Sequence, residues 1–163
     1  MIVQLAAAFF GSIGFALMLK IKGRQVLYAG IGGLITWGIY LVTFPYLQSD
    51  FECNLIASIF VAIYAEVMAR VNKAPATIFL TAAAVPLIPG GKLYYTMYGL
   101  VSEDQTLFVE SGTSAVTIAL AISLGFVIVA VLNKYLNRFL WVRKQKKSRN
   151  NHDGDGSANL TNP

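Results

Sequence analysis

Uncharged apolar runs alternate with short polar segments along most of this chain. A hydrocarbon layer about 30 Å thick needs roughly 17 to 25 residues of helix to cross it. Five runs have that length: Ile2 to Leu19, Val26 to Leu47, Cys53 to Ala69, Thr77 to Val101, and Thr113 to Leu132. The pattern predicts an all-α integral membrane protein of about five transmembrane helices, with residues 1–133 as its transmembrane domain. Past this point Leu132, Tyr135, Leu136, Phe139 and Leu140 recur at three- and four-residue spacing among Lys134, Arg138, Arg143, Lys144, Lys146, Lys147 and Arg149. That spacing predicts a basic amphipathic juxtamembrane extension over residues 134–149. Residues 150–163, rich in Asn, Gly and Asp, read as a disordered cytoplasmic tail.

Helices in lipid gain little from burying apolar side chains against each other, so close approach must come from small residues one turn apart. Ala8, Ser12 and Ala16 supply such a stripe in the first run, and Ala29 and Gly33 in the second. Ala65 and Ala69 do so in the third, and Ala115, Ala119 and Ser123 in the fifth. Tyr40, Phe44 and Tyr46 at one edge, and Tyr135, Phe139 and Trp141 at the other, suit the aromatic belts of a bilayer interface. The single cysteine, Cys53, has no intramolecular disulfide partner and reads as a packing residue.

Charge orients the runs. Lys20, Lys22 and Arg24 form one polar segment, Asp50 and Glu52 the next, Arg70 and Lys73 the third, and Glu103, Asp104 and Glu110 the fourth, before the basic extension. Basic residues gather on the cytoplasmic side, so the sequence places the first, third and last of these segments inside and the amino terminus outside a bacterial cytoplasmic (inner) membrane. Only Lys92 among the Lys and Arg residues departs from this arrangement. The composition, 56% hydrophobic and 13% charged, suits lipid as solvent rather than a water-soluble globule. The net charge of +5 therefore marks topology and contact with anionic lipids at the tail, not nucleic acid. His152, Asp153 and Asp155 lie in the tail, where no ligand geometry is held, so no metal or cofactor is expected.

One run is not continuous helix. Val85-Pro86-Leu87-Ile88-Pro89-Gly90-Gly91-Lys92 places two prolines, two glycines and a lysine inside the fourth crossing. Each proline removes a backbone donor and crowds the preceding turn, so the crossing is expected to split into two half-helices. Irregular backbone at membrane depth survives only against protein or a watery cavity, and such breaks are where transporters bind their substrates. A second half-helix starting near Gly91 would present free N–H groups and a positive dipole end, with Lys92 beside them, and a carboxylate is the natural guest. Glu66, four residues before Arg70, is either half of an ion pair on one helix face or a proton-coupling carboxylate.

The segment Phe79 to Leu100 with its PLIPGGKLYY core resembles the smaller membrane half of the threonine/serine exporter (ThrE) family, as do the run Gly30 to Leu41 and the ATIF run preceded by Arg70, Lys73 and Pro75. The resemblance covers roughly Met1 to Tyr135. It implies a transporter half-domain that exports threonine and serine, or dicarboxylates such as succinate in two-subunit members, together with a larger membrane subunit. Carried onto this sequence, the motif places substrate contacts at Pro86, Pro89, Gly90, Gly91 and Tyr94. Lys92 stands where the family more often has a small polar residue. The alternative reading is a non-transporting assembly or scaffold subunit whose Pro-Gly break is a hinge. An enzyme is not expected, because the spans contain no His/Cys/Asp cluster, nucleophile elbow or nucleotide loop.

The charge pattern predicts that the two chain ends lie on opposite sides of the membrane. Reporters fused at the amino terminus and at Ser148 should report outside and inside respectively; the same side for both would refute five crossings.

Overall fold

The computed structural model describes the backbone of residues 2–21 and 23–158, and past residue 135 it describes the side chain of Arg138 alone. Every described element is helical: α1 Ile2–Met18, α2 Arg24–Leu47, α3 Asp50–Asn72, α4 Ala76–Ala84, a 3-10 turn Val85–Leu87, α5 Gly90–Val101 and α6 Gln105–Ala158. The chain divides into two compact units, Met1–Val129 and Ala130–Pro163. The first holds the helical bundle. The second belongs to the extension and tail, whose side chains lie largely outside the described residues, as do Lys22, Phe139, Trp141 and the His152 cluster.

Arg24–Leu47, Asp50–Asn72 and Gln105–Tyr135 are long and apolar enough to cross a membrane. Ala76–Leu87 and Gly90–Val101 qualify together, bent by 56° at the break between them. Ile2–Met18 is apolar and 17 residues long, or about 25 Å at 1.5 Å per residue, which is the short end of a spanning length. The chain is an all-α protein of membrane type.

Several helix ends follow from capping that the apolar pattern does not reveal. Ile21, Ala74 and Asp104 donate their N–H groups back to Ala16, Ala69 and Gly99 at 3.1, 3.1 and 2.9 Å. The preceding residues, Lys20, Lys73 and Glu103, are left-handed at φ of 58°, 51° and 57°. These are Schellman closures made without glycine. At the start of α6, Asp104 Oδ1 accepts the N–H groups of Thr106 and Leu107, each at 3.1 Å, and satisfies the first-turn donors. The helix therefore begins at Gln105, and Glu110 lies within it rather than in the outer loop expected from its charge.

In the first unit α1 packs on α2, α2 on α3 and α4, and α3 on α4. Ala8, Ser12, Ala16, Ala29 and Gly33 are buried as the stripes required. Ser12 Oγ sits directly where a side chain on Gly33 would begin. A Cβ on Gly32 would stand 2.5 Å from Tyr64 Cε1 and 2.9 Å from Ala83 Cβ. The Tyr64 hydroxyl is held by a 2.7 Å bond donated to the Tyr28 carbonyl. Cys53 is fully buried, as is Ala65, while Ala69 is half-buried.

Two expectations need correction. On α6 the buried seam is Ser111, Ala115, Ile118, Ala121, Gly125 and Val129, whereas Ala119 and Ser123 are exposed. Strict four-residue spacing drifts about 40° per step around a helix of 3.6 residues per turn, and mixed three- and four-residue steps stay on one face. Ser58 Oγ donates to the Leu55 carbonyl of its own helix at 2.8 Å and meets that seam, lying 3.5 Å from the Ala121 carbonyl and filling the space beside Gly125. Tyr40, assigned to an interface belt, instead turns inward to bond Asp50, while Phe44 and Tyr46 stay exposed.

These contacts generate a stability prediction. Gly33→Leu and Gly125→Leu should each lower thermal stability in detergent, by about 1–3 kcal/mol or more from overpacking. Gly11→Ala and Gly14→Ala, whose added Cβ meets nothing within 4 Å, should melt like the wild type. Equal melting of all four would refute the seams.

Candidate functional site

Past Ala84 the helical ladder stops. Val85–Leu87 forms a 3-10 turn closed by the Ile88 N–H on the Val85 carbonyl at 3.1 Å. Ile88 is extended at φ −62°, ψ 125°. Pro89 follows at φ −76°, ψ 56°, and the Gly90 N–H returns to the Ile88 carbonyl at 2.7 Å. Those angles and that bond make an inverse γ-turn, the tightest reversal available before a new helix. The two prolines thus sit where a missing N–H costs nothing, one in the 3-10 turn and one at the cap of α5.

The start of α5 is open. The Pro89 carbonyl accepts the Leu93 N–H at 2.9 Å, but no side chain caps the helix. The N–H groups of Gly91 and Lys92 have no acceptor among the described residues. Neither Gly90 nor Gly91 has a positive φ, and a Cβ added to either meets nothing within 4 Å. Neither the backbone conformation nor the packing requires glycine at these positions. Their effect is to leave the end of the helix bare.

The bare end faces a cavity of about 500 Å³, within the range of small-ligand pockets. Pro86, Leu87, Ile88, Pro89, Gly90, Gly91 and Lys92 form one wall. From α2 come Trp37 and Tyr40, stacked with ring centres 4.8 Å apart. From α3 come Asp50 and Asn54, one turn apart on one face. Tyr95, and Leu107, Glu110, Ser111 and Ile118 of α6, complete the lining. The Tyr40 hydroxyl donates to Asp50 Oδ1 at 2.9 Å, and Asn54 Nδ2 donates to the Asp50 backbone carbonyl at 2.7 Å.

Of the residues the sequence singled out, Pro86, Pro89, Gly90, Gly91 and Lys92 meet at this cavity. Tyr94 does not line it: it is 64% exposed and stacks on Tyr98, with ring centres 6.3 Å apart. Tyr95 lines it instead, since adjacent helical residues point about 100° apart. Glu66, half-buried, and Arg70, exposed, lie one turn apart on α3 and are not part of the lining. The sequence reading missed Trp37, Tyr40, Asp50, Asn54 and Glu110 as site residues. The available signal was the Asp50-x-x-x-Asn54 spacing, which puts both polar side chains on one helix face.

A helical membrane bundle with an uncapped half-helix and a lysine opening on a cavity is a form seen in solute transporters. The chain belongs to the threonine/serine exporter family: the family model "Threonine/Serine exporter, ThrE" matches residues 4–132. Among curated proteins and solved structures, nothing matches.

Proposed function

We propose that this chain is the small subunit of a two-component secondary transporter. With a larger membrane subunit of the same family, it exports small carboxylate-bearing metabolites, either threonine and serine or dicarboxylates such as succinate. Family membership supports exporter-type transport. On this reading α1 adds a crossing to those of α2, α3, the α4–α5 pair and α6, giving five, with the amino terminus outside a bacterial inner membrane. The basic tail rests on anionic lipid. The break then lies near mid-membrane, and the cavity extends from it toward the outer ends of α3 and α6.

The observation that carries the proposal is the glycine pair. Gly90 and Gly91 wall the cavity without a conformational or packing reason to be glycine, which favours close approach of a ligand to backbone over a hinge. The substrate carboxylate accepts the free N–H groups of Gly91 and Lys92, aided by the dipole of α5 and the Lys92 charge. Glu66, with Arg70 one turn away, lies apart from that cavity and is the candidate for ion coupling.

Because an added Cβ meets open space, the double variant Gly90→Leu/Gly91→Leu should insert and pair with its partner normally, yet lose export. Flux from vesicles containing both subunits decides this; wild-type flux from the double variant would return the break to a hinge.

A further inference from the structure

The cavity at the break carries opposite charges that do not neutralise one another. Lys92 lines it with Asp50 and Glu110, and among the described residues Lys92 forms no ion pair with either carboxylate. A purely anionic guest would satisfy Lys92 and the α5 terminus but would bring its second negative charge toward Asp50. Like charges in a poorly hydrated site repel strongly. A guest with one carboxylate and one ammonium meets complementary charge at both ends.

The wall formed by α2 and α3 has the groups an ammonium requires. Tyr40 donates to Asp50 Oδ1 at 2.9 Å, which fixes the carboxylate and leaves Oδ2 without a partner among the described residues. Asn54 is only 3% exposed, yet it lines the cavity. Its Nδ2 is committed to the Asp50 carbonyl at 2.7 Å, which orients the amide and leaves Oδ1 unpartnered among the described residues. The stacked rings of Trp37 and Tyr40 lie on the same wall. An ammonium has three N–H donors, and Asp50 Oδ2 and Asn54 Oδ1 are acceptors for two of them.

We propose that Asp50 and Asn54 form an ammonium subsite, and that the cavity therefore takes a small α-amino acid as its zwitterion and disfavours dicarboxylates. This rests on the carboxylate end binding at the start of α5, as above. Asp50 and Asn54 are specificity-determining residues; Tyr40 is a positioning residue that acts through Asp50.

The test uses vesicles containing the full chain and its larger partner, with labelled threonine as the transported probe and four unlabelled competitors. Threonine carries both charges, 2,3-dihydroxybutyrate only the carboxylate, threoninol only the ammonium, and succinate two carboxylates. For the wild type, threonine should compete best. Asp50→Asn should weaken competition by threonine and threoninol about ten-fold or more, the loss expected for a charge-assisted contact, and leave 2,3-dihydroxybutyrate unchanged and succinate unchanged or improved. Asn54→Leu should act in the same direction. Lys92→Gln should weaken 2,3-dihydroxybutyrate and spare threoninol. If Asp50→Asn weakens threonine and 2,3-dihydroxybutyrate equally, or if succinate competes better than threonine against the wild type, the ammonium subsite is wrong and the carboxylate end stands. If Lys92→Gln and Gly90→Leu/Gly91→Leu also leave every competitor unchanged, the break is not the binding site and both proposals fall.

Discussion

Unpaired backbone polar groups cannot face lipid, and the rest of this structure is arranged around that constraint. The interruption at Ile88–Pro89 frees N–H groups of Gly91 and Lys92 that an unbroken helix would have used itself. An exposed break of this kind would cost several kcal/mol per group in hydrocarbon. The bundle meets the constraint by placing α2 and α3 against the break, beside a cavity whose lining includes Asp50, Asn54 and Glu110. The prolines and the γ-turn reduce the number of donors left unpaired, and those that remain belong to residues that line the cavity.

Bringing helices that close requires small residues, and the glycines divide into two kinds. Gly32, Gly33 and Gly125 are filled against Tyr64, Ser12 and Ser58, so they serve packing. Gly90 and Gly91 are open on every side an added Cβ would reach. The same residue type thus closes the bundle in one place and keeps it open in another. Only the environment separates the two uses, and it sets the second pair against the cavity.

The local parts of this arrangement were legible in the sequence. The lengths of the apolar runs gave α1, α2 and α3 to within about three residues, and Pro86-x-x-Pro89-Gly90-Gly91 located the interruption, because proline and glycine act on their own backbone; α6 begins eight residues before the fifth run. What was not legible depended on how separate helices meet. Asp50 and Glu110 read as loop charges because a single charge beside an apolar run looks like its end. In the structure Asp50 opens α3 and Glu110 lies within α6, where the Asp104 cap begins the helix early. Tyr94 was chosen over Tyr95 because both belong to one motif, and only the phase of α5 decides which one lines the cavity. The α6 seam was missed for a similar reason, since a small-residue count does not fix which face of a long helix packs.

The acidic residues have a double consequence. Asp50 lies in the first turn of α3 and Glu110 in the second turn of α6, and acidic residues bear on topology only weakly, since basic residues dominate it. Both line the cavity together with Lys92, a lysine that the topology rule alone leaves unexplained. A lysine at membrane depth costs about 2.5 to 3.5 kcal/mol on insertion scales. Packing does not explain these charges, because none is neutralised by another among the described residues. On the proposed reading, a zwitterion bridging the α5 terminus and Asp50 satisfies both ends at once. On the proposed reading, selectivity follows from that pairing: a guest that lacks either charge leaves one of these groups without a partner.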